Sequence, residues 1–326
     1  MKPQGGEVAS GMMDQAEPHD ELLERILDRD NLRKAWKRVK ANKGAAGVDG
    51  MSIDDAFEFI RQHWDGICSS LENGRYVPMP VRRVWIEKSD GGRRPLGIPT
   101  VLDRMIQQAI SQVLTPRFDP HFSESSHGFR AGKSAHSAMR QLRKTVRSGH
   151  RFAVDADLSK FFDTVDHDLL MQCVEKRVKD RRVLKLIRKY LRAEVVDDGQ
   201  SEQVNVGVPQ GGPLSPLLAN ILLDELDKEL EKRGHKFVRY ADDFIILVKS
   251  MRAGERIFAS ISRYLQRELK LAVNPTKSKV AKVDECAFLG FQIIRGKVRW
   301  SRTSEKEFKR RIKEITGRSW GVSMKY

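Results

Sequence analysis

Phe237-Val238-Arg239-Tyr240-Ala241-Asp242-Asp243-Phe244-Ile245-Ile246-Leu247-Val248 consists of two short apolar runs joined at a pair of adjacent carboxylates. Runs of this length, rich in β-branched and aromatic residues, read as strands, so the segment is a hairpin with Asp242 and Asp243 at its tip. Side by side in an apolar setting, the two carboxylates repel each other. A divalent cation relieves that repulsion, and all-oxygen ligands favour Mg²⁺. A plain turn is the competing reading, because aspartate satisfies backbone groups locally and the same dipeptide recurs at Asp54-Asp55 and Asp197-Asp198. Only Asp242-Asp243 has apolar runs on both sides.

Upstream, residues 152–158 alternate. Phe152, Val154, Ala156 and Leu158 face one way, Asp155 and Asp157 the other. A carboxylate at the end of a central strand is costly unless it is paired or metal-bound. Spacing alone does not choose between Asp155 and Asp157. Either one, brought to the hairpin tip, completes a carboxylate triad suited to two-metal phosphoryl transfer.

Between these strands runs Gly207-Val208-Pro209-Gln210-Gly211-Gly212-Pro213-Leu214-Ser215-Pro216. Its glycines allow close approach of backbone to a ligand. Ser215 before Pro216 is a good N-cap with proline at the first helical position. A tight strand-to-helix connection explains the Ser-Pro half but leaves Gln210 without a purpose, which makes it a candidate substrate contact.

The remaining chain interleaves helices and strands without a βαβ rhythm, which predicts an α+β fold. Helices are expected at 21–29, 31–41 (capped by Asp30 or Asn31), 53–64 (opened by Ser52 and Asp55), 167–177, 180–193, 216–232 and 253–269, with another from Val101 to a stop at Pro116. Strand pairs are expected at 81–86 with 93–98, around Glu202–Val208, and at 286–294; the first turns at Ser89–Gly92 and has a basic outer edge. Residues 1–20 read as a disordered leader, with no signal-peptide centre.

The 326 residues carry a formal charge of +16, which points to a polyanionic partner through counterion release from phosphates. Residues 295–326 hold eleven Lys and Arg against Glu305, Glu307 and Glu314, and a second basic stretch spans Lys176 to Arg192. No apolar run approaches membrane-spanning length, so no membrane partner is expected. Cys68, Cys173 and Cys286 are unpaired in pattern, which predicts a reducing, cytoplasmic setting without a disulfide frame or zinc ribbon.

The segment Phe152–Phe162 with Asp163, the loop Gly207–Pro216 and Tyr240–Asp243 follow the order and approximate spacing of reverse-transcriptase palm motifs. Further matches are Arg93-Arg94-Pro95-Leu96-Gly97-Ile98-Pro99-Thr100 with Asp103-Arg104, His127-Gly128-Phe129-Arg130, Asn274-Pro275-Thr276-Lys277-Ser278-Lys279, and Phe288-Leu289-Gly290-Phe291. Over roughly residues 30–320 the chain resembles bacterial group II intron-encoded reverse transcriptases, which also act as splicing maturases.

That resemblance implies a right-hand polymerase fingers and palm, with an antiparallel palm sheet backed by helices. It implies an N-terminal extension at 21–65, fingers at 66–150, a palm at 151–295 with part of the fingers at about 165–200, and the start of a thumb at 296–326. The expected ligands of two Mg²⁺ ions (or Mn²⁺) are Asp157, Asp242 and Asp243, and Asp157 is selected over Asp155 by its place five residues before Phe162. Phe162 becomes the gate that excludes a 2′-hydroxyl, with Phe161 as core. Gln210 lies along the incoming dNTP, and Lys88 and Arg94 hold its triphosphate, with Arg83 a weaker candidate. Arg33, Lys34, Lys37 and Arg38 face template RNA, although a solvated helix face accounts for them nearly as well.

The implied partners are an RNA template, a DNA primer, dNTPs and the protein's own intron RNA, with a homodimer among the expectations. Only the first thumb helix is expected, over Phe308–Ile315, which predicts complete catalytic geometry and poor processivity. The competing functions are an RNA-binding splicing cofactor with residual polymerase activity, a retron or defence reverse transcriptase, and an RNA-dependent RNA polymerase. Phe162 and the Tyr-Ala-Asp-Asp form argue against the last.

Overall fold

The computed structural model describes residues 21–87 and 92–316. The expected leader, Lys88, most of the turn after it and the last ten residues lie outside these.

Helices α1 (Leu22–Leu27) and α2 (Arg29–Ala41) open the chain. The cap of α2 is Asp28, whose side chain accepts from the amides of Asp30 and Asn31. The two residues expected to cap are therefore its beneficiaries. Helix α3 (Ile53–Glu72) starts at the Ser52–Asp55 capping box but runs well past residue 64, because Ile67 and Leu71 extend its packed face.

Strands β1 (Val81–Glu87) and β2 (Arg93–Ile98) pair antiparallel as expected. Helix α4 (Val101–Phe118) continues through Pro116. One missing N–H in a final turn is a small loss when buried Phe118 anchors that turn in the core. Then follow α5 (Ala135–Arg147), β3 (Phe152–Ala156), α6 (Phe161–Thr164), α7 (His167–Glu175) and α8 (Arg181–Leu191).

The hairpin expected around 202–208 instead occupies β4 (Val195–Asp197) and β5 (Gln200–Glu202). Its turn is Asp198-Gly199 with both φ values positive, the Asp-Gly geometry that matches strand twist. Residues 203–208 are loop. Helix α9 (Ser215–Lys232) leads to β6 (Lys236–Tyr240), β7 (Asp243–Val248) and α10 (Met251–Glu268). Strand β8 (Lys279–Lys282) was not expected. The pair expected at 286–294 is the hairpin β9 (Phe291–Ile294) and β10 (Lys297–Trp300), before α11 (Arg302–Ile315).

Two four-stranded sheets position the site. One has the order β2-β1-β4-β5, with β1 and β4 parallel; the other, β6-β7-β3-β8, is antiparallel throughout. The second sheet is covered on both faces. Val154, Ala156, Phe244 and Ile246 enter the large core with Ile110 of α4, Leu222 and Leu226 of α9, and Leu265 of α10. Ala153, Val238, Ile245 and Leu247 pack on Ala138, Met139 and Leu142 of α5. This double cover is why β7 is apolar without alternation.

Candidate active site

Tyr240 pairs with Asp243, so Ala241 and Asp242 alone make the turn between β6 and β7. Ala241 takes φ +57°, a left-handed conformation that costs a non-glycine residue roughly 1 kcal/mol or more. Something must hold it there. A Cβ on Gly128 would lie 2.2 Å from the Ala241 amide nitrogen, so only glycine fits beside the turn. Segment 125–128 runs along the free edge of β6: the His127 amide donates to Arg239 O at 2.8 Å, and the Arg239 amide to Ser125 O at 2.9 Å.

Asp157 lies just past the end of β3. Its amide donates to Ser278 Oγ at 3.0 Å, and its carbonyl accepts from the Asn274 amide at 2.8 Å. The Asn274–Lys279 motif is thus the cradle of this aspartate. Asp155 sits opposite Lys279 of β8 and Ile245 of β7.

The electrostatics bring these groups together. Burial pushes Asp243 up to about 6, reinforced by Asp242, Asp157 and Asp155 and opposed by Arg94. Burial also raises Asp242, with Arg94 opposing and Asp157 reinforcing. Asp155 is pushed up to about 6 by burial, with Lys279 opposing it and Asp157 reinforcing. Four carboxylates, the guanidiniums of Arg94 and Arg239 and the Lys279 ammonium therefore share one field at this end of the sheet. The donor set is oxygen only, which fits a hard divalent cation. Among the described residues, no three His, Cys, Asp or Glu side chains converge to hold one ion as they stand.

The other candidates divide. Arg94 Nε donates to Gln210 Oε1 at 2.6 Å, and the Gly97 amide to Gln210 O at 2.6 Å, so β2 and the glycine loop are stitched together beside the carboxylates. Gly207, at φ +94°, lies against Phe162 O, where a Cβ would stand 2.8 Å away. The Val208 amide donates to the same oxygen at 2.6 Å. Phe162 packs edge-on to Phe161, with centroids 5.1 Å apart, and lines a cavity of about 330 Å³ with Gln210, Gly97, Arg83 and Trp85; Phe161 does not reach it. Ser215 caps nothing. Its hydroxyl donates to Pro209 O at 2.6 Å and braces the loop, while Leu214 holds the cap position.

Arg83 is engaged by Asp197 and Glu202, at 3.5 and 3.4 Å. Lys88 lies outside the described residues. Arg33, Lys34, Lys37 and Arg38 are all exposed on α2. Arg33 pairs with Asp30, and the other three line a groove of about 830 Å³ that also touches Gln112, Phe129 and Asn220.

Sequence reasoning passed over Arg239. It is fully buried and binds Asp227, also fully buried, through Nε at 2.8 Å and Nη2 at 2.5 Å. Burial pushes the Asp227 carboxyl upward, and the guanidinium opposes it. The available signal was a charged residue inside the otherwise apolar run Phe237–Tyr240.

Residues 86–293 match the family model described as reverse transcriptase (RNA-dependent DNA polymerase). The chain belongs to the reverse transcriptase family. It is 34% identical to protein YkfC of Escherichia coli K12 over 320 residues, covering 86% of this chain and 84% of that protein. It is 30% identical to the group II intron-encoded protein LtrA of Lactococcus lactis over 362 residues, covering 91% of this chain and 60% of LtrA.

The fold resembles a Candida tropicalis telomerase truncated from its C-terminal domain, with a TM-score of 0.53 at 15% identity over 68% of this chain and 55% of that one. The mixed architecture is therefore that of right-hand polymerase fingers and palm, and the enzyme class is RNA-directed DNA polymerase, a nucleotidyltransferase. Reverse transcriptases use divalent metal ions. Among the described residues, no helix is long and apolar enough to cross a membrane.

Proposed function

We propose that this reverse transcriptase extends a DNA primer on an RNA template, using Asp157, Asp242 and Asp243 as the ligands of two Mg²⁺ ions. The observation that carries this is the shared field of these carboxylates at the end of an antiparallel sheet, next to Arg94 and Gln210. When bound, the ions supply charge neutralisation and lower the pKa of the attacking 3′-hydroxyl, and Mn²⁺ can replace them.

The chain's own residues do the rest. Arg94, hydrogen-bonded to Gln210, offers its remaining N–H groups to the triphosphate, where fixed positive charge stabilises the developing negative charge. Phe162 packs beneath the sugar and leaves no room for a 2′-hydroxyl. In this reading residues 21–65 are the N-terminal extension, 66–150 the fingers with part of 165–200, 151–295 the palm, and 296 onward the start of the thumb. Arg33, Lys34, Lys37 and Arg38 contact template or intron RNA.

LtrA is named as a group II intron-encoded protein, and by that likeness the chain is also proposed to bind its intron RNA as a splicing maturase in the bacterial cytoplasm. The test is dNTP incorporation on poly(rA)/oligo(dT) with Mg²⁺. Wild type should incorporate and Asp242→Ala should not. Equal activity of the two would sink the assignment.

A further inference from the structure

The turn that carries the two catalytic carboxylates has little to stiffen it from within. It is two residues long, and one of them, Ala241, stands in a left-handed conformation that an alanine does not adopt freely. The restraint comes from below. Arg239, two residues before it, has no exposed surface and directs all its donors to fixed points.

Nη1 donates to Ala241 O at 2.9 Å and to Asn220 Oδ1 at 2.9 Å. Nη2 donates to Ser126 Oγ at 2.8 Å and to Asp227 Oδ2, and Nε to Asp227 Oδ1 at 2.8 Å. Asn220 closes the circuit by donating from Nδ2 to Gly128 O at 2.9 Å, and Gly128 is the residue packed on the Ala241 amide. The guanidinium therefore grips the turn at the Ala241 carbonyl, and through Asn220 it grips the glycine that walls the turn in. Asp227 and Asn220 both belong to α9, so the turn is referred to a rigid helix in the main core.

We infer that Arg239 is a positioning residue. Locked by Asp227 and Asn220, it holds the Ala241 carbonyl and thereby sets the orientation of Asp242 and Asp243 for metal binding. The inference rests on the reading that these aspartates bind the metal ions.

A lysine at 239 keeps the charge but cannot reach Asp227, Asn220, Ser126 and Ala241 at once. Partners that orient ligands in this way typically change metal affinity or activity by about 10–100-fold when replaced. The experiment compares the full chain with Arg239→Lys, Asn220→Ala and Asp242→Ala. It reads Mn²⁺ binding by electron paramagnetic resonance in the absence of substrate, the Mg²⁺ dependence of primer extension, kcat and KM for dNTP, and thermal unfolding.

Arg239→Lys is expected to unfold cooperatively, to bind Mn²⁺ about tenfold more weakly and to lose kcat by about tenfold or more, with KM for dNTP within about twofold of wild type. Asn220→Ala, which removes only one of the five bonds and the link to Gly128, should shift the same quantities in the same direction by about threefold. It answers the question if Arg239→Lys does not fold. Wild-type Mn²⁺ affinity and Mg²⁺ dependence in a folded Arg239→Lys, or in Asn220→Ala if that lysine variant does not fold, would overturn the inference. Unchanged Mn²⁺ binding and activity in Asp242→Ala would instead overturn the metal assignment beneath it.

Discussion

Two arginines flank the same carboxylates and are held in opposite ways. Arg239 has no exposed surface and makes five hydrogen bonds to protein. Arg94 is exposed on β2, and among the described residues its side chain hydrogen-bonds Gln210 alone, at 2.6 Å. A buried guanidinium with every donor satisfied has nothing left for a ligand, so its work is to fix geometry. An exposed one with spare donors can take a polyanion. Charge near the site therefore serves two purposes, and burial separates them.

The largest expected effect is at the tip of the hairpin. Asp242→Ala should lower dNTP incorporation by about 10³-fold or more, the scale of losing a group that stabilises charge in the transition state. Incorporation assays read it, and a loss below tenfold would move the catalytic centre elsewhere.

Next comes the contrast between the arginines themselves. Asp227→Ala leaves Arg239 buried and unpaired, so unfolding free energy should fall by roughly 3–5 kcal/mol. Arg94→Ala should change it by no more than about 0.5 kcal/mol, while KM for dNTP rises by about tenfold, as for the loss of a charge-assisted contact. Denaturant titration and steady-state kinetics together decide this. Similar stability losses in both variants would break the comparison.

Phe162→Ala should relax discrimination against ribonucleotides by about 10–100-fold, the range expected when one pocket wall is removed. Competing dNTP and rNTP incorporation checks it, and unchanged discrimination would make Phe162 plain core like Phe161.

The smallest effect concerns the loop side. Burial lowers the pKa of His167, whose Nε2 is 2.7 Å from Gly207 O and whose Nδ1 is unpartnered. The unfolded state then binds the proton more tightly than the folded one, so this contribution to stability is present above about pH 6.5 and is lost as pH falls below it. The thermal midpoint of wild type should drop between about pH 7 and 5.5 by more than that of His167→Gln, by a degree or two. Equal drops would mean that His167 is not the group responsible.

Much of this was legible in the residues alone. The hairpin at 237–248, the capping box at Ser52, the β1–β2 pair and the long helix expected at 216–232 follow from local rules of period, caps and turns, and the structure contains all four, although Ser215 braces the loop before that helix instead of capping it. The choice of Asp157 over Asp155 was not local. The alternating pattern puts both on one side, whereas in the structure Asp155 lies within β3 and Asp157 just past its end, in the grip of Ser278 and Asn274. Strand β8 escaped notice because four residues, Lys279 to Lys282, carry too weak a pattern until β3 pairs with them. The β4–β5 hairpin lies upstream of the expected 202–208 because Asp198-Gly199 supplies the tight turn with both φ values positive, and three-residue strands carry too little pattern to mark themselves.

The opening stretch divides along the same line. The sequence by itself determined that Phe237–Val248 is a hairpin with two carboxylates at its tip, since strand length, apolar runs and turn position are written within a dozen residues. Only the tertiary structure decided what the arginine in that stretch is for. Its partners, Ser126, Asn220 and Asp227, lie 12 to 113 positions away along the chain, and no local pattern connects them. A charge in an apolar strand announces that it needs a partner; long-range packing alone decides which one it finds and which turn it holds.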